Sequence, residues 1–286
     1  MVWDNPNYDP DAFKSSFGKT LFEWAYEIYG GGMLQGVSGQ LSINFTSGTY
    51  ATIGNTLTQI YHIIQPIGCV LLVLYFLLEL AERVQAESFN LEQFIRMSCK
   101  LLIGVTIMNN GLDLLTAGMN FASGIYESIA ASAASNPLNS TVLDEYYVAL
   151  KDASFFKCLP YLFELLIPWL MMFLCKIVLY VMVYSRVLEL LGRGVFAPIG
   201  MSNIFSGGFS SSGYRYFKKF VAVALQGAVI AVILLGMSSL QAVIYEGVSN
   251  GTIIGLGAAP LQIVIALSAT MLMIKSQGWA NDIMGV

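Results

Sequence analysis

Charge is scarce in this sequence. Only 11% of its 286 residues are Asp, Glu, Lys or Arg, and 56% are hydrophobic; soluble domains carry about 25% charged residues. A water-soluble fold of this size cannot hide so much apolar surface, so lipid is the natural solvent. Basic charge is scarcer still. The 14 Lys and Arg stand against 18 Asp and Glu, a net charge of −4, so the basic field that generic nucleic-acid binding requires is missing. Histidine occurs once, as His62, which removes the base that most hydrolase schemes need. The four cysteines, Cys69, Cys99, Cys158 and Cys175, lie far apart with no CxxC or metal-ligand spacing. They are expected to be small apolar fillers, with neither a zinc site nor a disulfide framework. No GxxxxGK[ST] or HExxH occurs, which excludes P-loop hydrolysis and the common zinc hydrolases; GVSNG at 247–251 has the bare GxSxG spacing, with no histidine anywhere after it in the sequence. The expectation is a protein that is not an enzyme and holds no metal. The opening MVWDNPNYDPDAF has no basic run ahead of an apolar core, so no cleavable signal is expected.

Long apolar runs are what the sequence has in quantity. Five, near 57–80, 101–125, 160–185, 219–245 and 258–277, each supply about the 20 residues that cross a hydrocarbon core of about 30 Å. A further stretch, 187–205, contains Glu189, Arg193, Gly192, Gly194, Pro198 and Gly200, and its breakers and charges predict a re-entrant or interfacial segment. Glu189 and Arg193 have the favourable i, i+4 order. Ahead of the spans, Phe13, Phe17, Leu21, Trp24 and Ile28 share one face of an amphipathic helix over 12–29, flanked by Lys14 and Glu27. Its aromatic residues predict a headgroup-level position. The predicted fold is therefore all-α, a polytopic transmembrane helical bundle. Residues 1–56 form an outer tail with the amphipathic helix, and 57–280 form the membrane domain. That domain has an outer loop at 126–158, including a short helix capped by Thr141, a cytoplasmic segment at 187–218 and a Gly-rich link at 247–257. Residues 281–286 are a cytoplasmic tail.

Basic residues set the orientation. With 187–205 not spanning, Arg83, Arg96, Lys100, Arg186, Arg193, Arg215, Lys218, Lys219 and Lys275 share one side, against Lys14, Lys19, Lys151 and Lys157 on the other. The richer side is cytoplasmic. This puts the N-terminus outside and the C-terminus inside.

Polar groups inside the spans are the candidate functional residues. Asn109, Asp113, Thr116 and Asn120 fall on one face of a continuous helix, either lining an aqueous path or fixing helix packing by hydrogen bonds. Asp113 and Lys176 each cost roughly 2.5–3.5 kcal/mol on insertion and are expected to pair, within or between subunits. His62, with Thr58 and Gln65 before Pro66, is expected to be a hydrogen-bonded packing residue; Pro160 and Pro168 predict a capped start and a kink in the third span. Gly227 and Ala231, with Gln226 beside them, form a small-xxx-small pair suited to close contact with another helix, including one of a second subunit. Arg215, Lys218 and Lys219 form a cytoplasmic basic step, available to DNA or a protein partner by charge, or serving as plain positive-inside anchors.

From Leu188 to Ile230 the chain reads LELLGRGVFAPIGMSNIFSGGFSSSGYRYFKKFVAVALQGAVI. An apolar helix runs into A-P-I-G, a Ser/Gly-rich turn follows, and an aromatic-basic step leads into a Gln-bearing span. This pattern resembles the TrbL-like polytopic membrane subunits of conjugative type IV secretion systems, particularly those of Gram-positive mobile elements, over about 57–280. The resemblance implies a homo-oligomeric ring, a pentamer by expectation, in the bacterial cytoplasmic membrane. Its implied partners are other secretion-channel proteins, cytoplasmic ATPases, membrane lipids and possible transferred DNA, with no cofactor beyond bound phospholipid. The competing reading is a secondary transporter or permease that uses Asp113 and Lys176 as coupling groups.

Overall fold

Backbone N–H and C=O groups find no water inside a bilayer, and a helix satisfies them within one segment. In the computed structural model of this chain, residues 9, 11–29, 40–45, 48–85, 90–134, 140–204, 211–249 and 255–286 are described, and among them no strand occurs. The helices are α1 (Ser16–Tyr29), α2 (Ala51–Gln85), α3 (Leu91–Asn109), α4 (Gly111–Ala134), α5 (Ser140–Lys151), α6 (Phe155–Val195), α7 (Ala197–Met201), α8 (Ser212–Ser249) and α9 (Gly255–Met284). Helices α2, α6, α8 and α9 are long and apolar enough to cross a membrane; α3 and α4 reach that length only as a pair bent by 66°. The chain is a polytopic all-α membrane protein, with four such helices among the described residues, or five if the bent pair counts as one.

Several boundaries differ from those read in the sequence. The second predicted span, 101–125, is two helices meeting at Asn110. The segment 187–205 is not separate: α6 runs unbroken through Arg186 to Val195, and only after Phe196 does the short α7 begin. Glycines at 192 and 194 do not stop α6, because its long-range packing outweighs their propensity cost of about 1 kcal/mol each. Helix α6 also starts at Phe155 and passes through Pro160 and Pro168, so Pro160 does not open it. The segment predicted as an outer loop, 126–158, is largely helical, since α4 continues to Ala134 and α5 begins at Ser140, which puts Thr141 inside α5 rather than at its cap. The glycine-rich link narrows to 250–254, outside the described residues; most of the 1–12 tail and all of 30–39 lie outside them as well.

The chain divides into two compact units. The first comprises 1–41, 127–183 and 229–276; the second comprises 42–126, 184–228 and 277–286. In the first unit, α1 packs on α5, with Leu21, Phe22, Leu143 and Leu150 fully buried. Gly18 permits the approach, since a Cβ there would sit 3.0 Å from the Leu150 carbonyl oxygen. Phe13 meets Tyr147 edge-on at 5.5 Å and Trp24 stacks on Trp169 of α6 at 4.5 Å. The apolar face of α1 is therefore packed on protein within this unit. At the exposed end of this unit Lys14 Nζ lies 2.8 Å from Asp152, and that hydrogen bond holds the Asp152 carboxyl below the usual carboxylate range.

In the second unit, α2 and α3 form an antiparallel hairpin in which Leu72 and Met108 are buried together. Near its closed end Glu79 Oε1 lies 3.5 Å from Arg83 and 3.9 Å from Lys100. Helix α7 packs on the middle of α2, where Gly68 meets Pro198; a Cβ at 68 would approach the Pro198 backbone to 2.7 Å. The core of this unit includes Leu57, Tyr61, Leu115, Met119, Leu190, Met201 and Phe220.

Candidate functional site: a broken span and two charged locks

A helix that breaks inside a bilayer frees carbonyls that need new donors. Here the donors come from α2. Tyr61 Oη donates to the Met108 carbonyl at 3.4 Å and Gln65 Nε2 donates to the same oxygen at 3.3 Å. Asn110 closes the end of α3 by donating from both its backbone N and its Nδ2 to the Thr106 carbonyl, at 3.1 and 2.9 Å. Gly111 then starts α4 against the ring of Tyr61, and a methyl group at 111 would land on Tyr61 Oη. The bend is thus a built feature, specified by a glycine, an asparagine and two polar side chains of the neighbouring helix. His62, read in the sequence as a packing residue, is exposed and bonds Gln65 Oε1 through Nδ1 at 3.2 Å.

The bend divides the polar stripe. Asn109 ends α3, while Asp113, Thr116 and Asn120 lie on α4, so the four do not share a single straight face as expected. Asp113 and Asn120 are exposed. Thr116 is half-buried and donates back to the Leu112 carbonyl at 2.9 Å. The opposite side of α4, with Leu115, Gly118, Met119 and Ala122, is buried in the core of the second unit.

Lys176 has a partner in its own chain, and it is Glu27 rather than Asp113. Lys176 Nζ lies 3.1 Å from Glu27 Oε1, and Trp169 Nε1 donates to Glu27 Oε2 at 3.0 Å. Asp113 forms no ion pair among the described residues. The sequence reading set Glu27 aside as a flank of an interfacial helix; the docking of α1 along α6 gives it this role. Reversing either charge, by Glu27→Lys or Lys176→Glu, is expected to lower thermal stability in detergent, with the insertion cost of an unpaired charge, roughly 2.5–3.5 kcal/mol, as an upper bound. The double swap should recover most of the loss but not the Trp169 bond. Melting curves of the four proteins check this, and a double swap no better than the single variants would reject the pair.

A second lock was missed altogether. Arg186, counted in the sequence among the cytoplasmic basic residues, is only 4% exposed. Its Nε donates to the Val223 carbonyl at 3.0 Å and its Nη2 to the Ala224 carbonyl at 2.7 Å, both on α8. The guanidinium lies directly against Gly227, where any Cβ would collide with it. Gly227 therefore makes room for an arginine of the same chain, which accounts for it without a second subunit. Gln226 and Ala231 are buried too. A visible signal was the Arg186 side chain one turn ahead of Leu190 in an otherwise apolar run.

The basic step forms the first turns of α8. Arg215 and Lys219 are exposed, and Lys218 Nζ stands 5.3 Å over the Tyr214 ring. Nearby, Arg193 reaches Glu189 Oε1 through Nε at 2.9 Å and Nη2 at 2.6 Å, as the i, i+4 spacing predicted, and the Tyr216 hydroxyl donates to the Arg193 carbonyl at 2.7 Å.

No curated protein and no solved structure matches the chain. The family of TrbL/VirB6 plasmid conjugal transfer like proteins matches residues 36–198. The match takes in α2 to α6, the bend and Arg186, and it meets the stretch that carries the sequence resemblance only at 188–198. A polytopic helical chain matched over more than half its length, through the same helices that form the bent pair, is a member of the TrbL/VirB6 plasmid conjugal transfer-like family and a component of a conjugal transfer apparatus.

Proposed function

We propose that this component is a ring-forming channel or scaffold subunit of a conjugative type IV secretion apparatus, and that it performs no bond chemistry. The observation that carries the proposal is a difference between exposed faces. Along their middle turns the exposed positions of α2, α3 and α6 are mostly large and apolar: Ile63 is 72% exposed, Leu102 67% and Phe163 68%, with exposed polar residues such as Gln59, His62, Glu92 and Glu164 nearer the helix ends. Such faces suit hydrocarbon. The exposed face of α4 instead carries Asp113, Ala117, Asn120 and Gly124, with Phe121 at its border, and polar groups at membrane depth call for protein or water. Copies arranged around an axis give α4 that environment while leaving the apolar faces to lipid, with bound phospholipid filling the remaining gaps. The family resemblance makes a pentamer the expected closure.

In this reading the N-terminus lies outside and the C-terminus inside the cytoplasmic membrane. Arg215 and Lys219 then face the cytoplasm, where they meet the apparatus ATPases or the transferred DNA through charge. The Lys176–Glu27 bond occupies one of the two coupling groups that a permease reading would use, which weighs against that reading. Native mass spectrometry with particle averaging of the nanodisc-extracted protein tests the proposal. A closed symmetric ring is expected; a monomer or simple dimer binding a small solute near Asp113 would reject it in favour of transport.

A further inference from the structure

Between Lys100 and Lys151 the sequence has no Lys, Arg or His, yet it has Asp113, Glu127, Asp144 and Glu145. Fifty residues that include all of α4 thus carry charge of one sign. Along α4, Asp113, Ala117, Asn120 and Gly124 follow one another at steps of four, three and four, which keeps them on one side of a helix. All four are exposed, and a methyl group added at Gly124 would meet nothing within 4 Å. Glu127 takes the next step of the same repeat. Beside them Phe121, 59% exposed, is the large apolar side chain that borders this side among the described residues of α4, so two features set the side apart: an open surface of small and polar residues, and an absence of cationic residues along α4 itself.

We infer that this face of α4 is in contact with water in the assembled protein and admits cations in preference to anions, so that a polyanion such as DNA does not track along it. The inference deepens the ring reading and rests on it. Carboxylates bordering a narrow, low-dielectric opening focus a negative potential there, and symmetric copies would multiply it. Transferred DNA would then pass only where another component covers this face.

Thiol chemistry tests the point in the full-length protein in proteoliposomes. Ala117→Cys places a thiol one helical turn from Asp113. Its reaction is followed with a cationic trimethylammonium methanethiosulfonate and an anionic sulfonate analogue. Each rate is corrected for reagent reactivity and for the parent chain's native cysteines. Both reagents are expected to react, the cationic one faster on the order of fivefold, as one carboxylate about a turn away allows. Adding Asp113→Asn should reduce that preference. Equal rates, or a preference unchanged by Asp113→Asn, would overturn cation selectivity and leave the ring standing. If only a membrane-permeant maleimide reacted, α4 would not face water at all; the inference fails, and the ring is then judged by its own mass and symmetry.

Discussion

Gly227→Ala is expected to destabilise the folded protein by about 1–3 kcal/mol, the usual cost of forcing an extra methyl group into a filled interior. The atoms it meets are those of the Arg186 guanidinium, which cannot retreat without giving up its bonds to the Val223 and Ala224 carbonyls. Hydrogen bonds to a charged group are worth about 1.5–3 kcal/mol each. The cause therefore predicts its own rescue. In an Arg186→Ala background the same Gly227→Ala change should cost much less, because the obstructing group has gone and the two carbonyls keep their own helical donors. Unfolding of the four proteins in mixed micelles gives the double-mutant cycle. Costs that simply add would show that Gly227 is small for some reason other than Arg186.

Gly111→Ala should have the second large effect, and it acts on the bend. The added methyl group falls on Tyr61 Oη. Either the hydroxyl leaves the Met108 carbonyl or α4 shifts away from α2. A loss of one or two kcal/mol changes the folded-to-unfolded ratio about five- to thirtyfold, and plasmid transfer frequency should fall accordingly. Tyr61→Phe should restore part of it. With the hydroxyl removed, the nearest atoms to the new methyl group are Met201 Cε at 3.3 Å and Tyr61 Cζ at 3.5 Å, which small adjustments accommodate. Gln65 Nε2 still serves the Met108 carbonyl. Mating assays with Gly111→Ala alone and combined with Tyr61→Phe, alongside protein levels in the membrane, check the result. Normal transfer by Gly111→Ala would mean that the bend is not needed in the working apparatus.

The sequence alone determined the solvent and the class. A chain with so few charges and several apolar runs long enough to cross a bilayer has only helices open to it, because lipid supplies no hydrogen bonds. Local spacing also settled the Glu189–Arg193 pair, since residues four apart on a helix are neighbours whatever surrounds them. The Leu188–Ile230 pattern pointed to the conjugal transfer family from the residues themselves. What the tertiary structure decided were the long-range partners. Lys176 and Asp113 both read as costly charges in need of a counter-ion, and periodicity says nothing about which helix comes alongside; the docking of α1 on α6 gave Lys176 to Glu27. Arg186 read as an anchor at a membrane edge, but α6 continues past it and buries it against Gly227. The break at Asn110 was hidden because Asn109, Asn110 and Gly111 are each tolerated singly in a helix. Only Tyr61 and Gln65, nearly fifty residues away, supply the hydrogen bonds that make a bend there cheaper than a straight span.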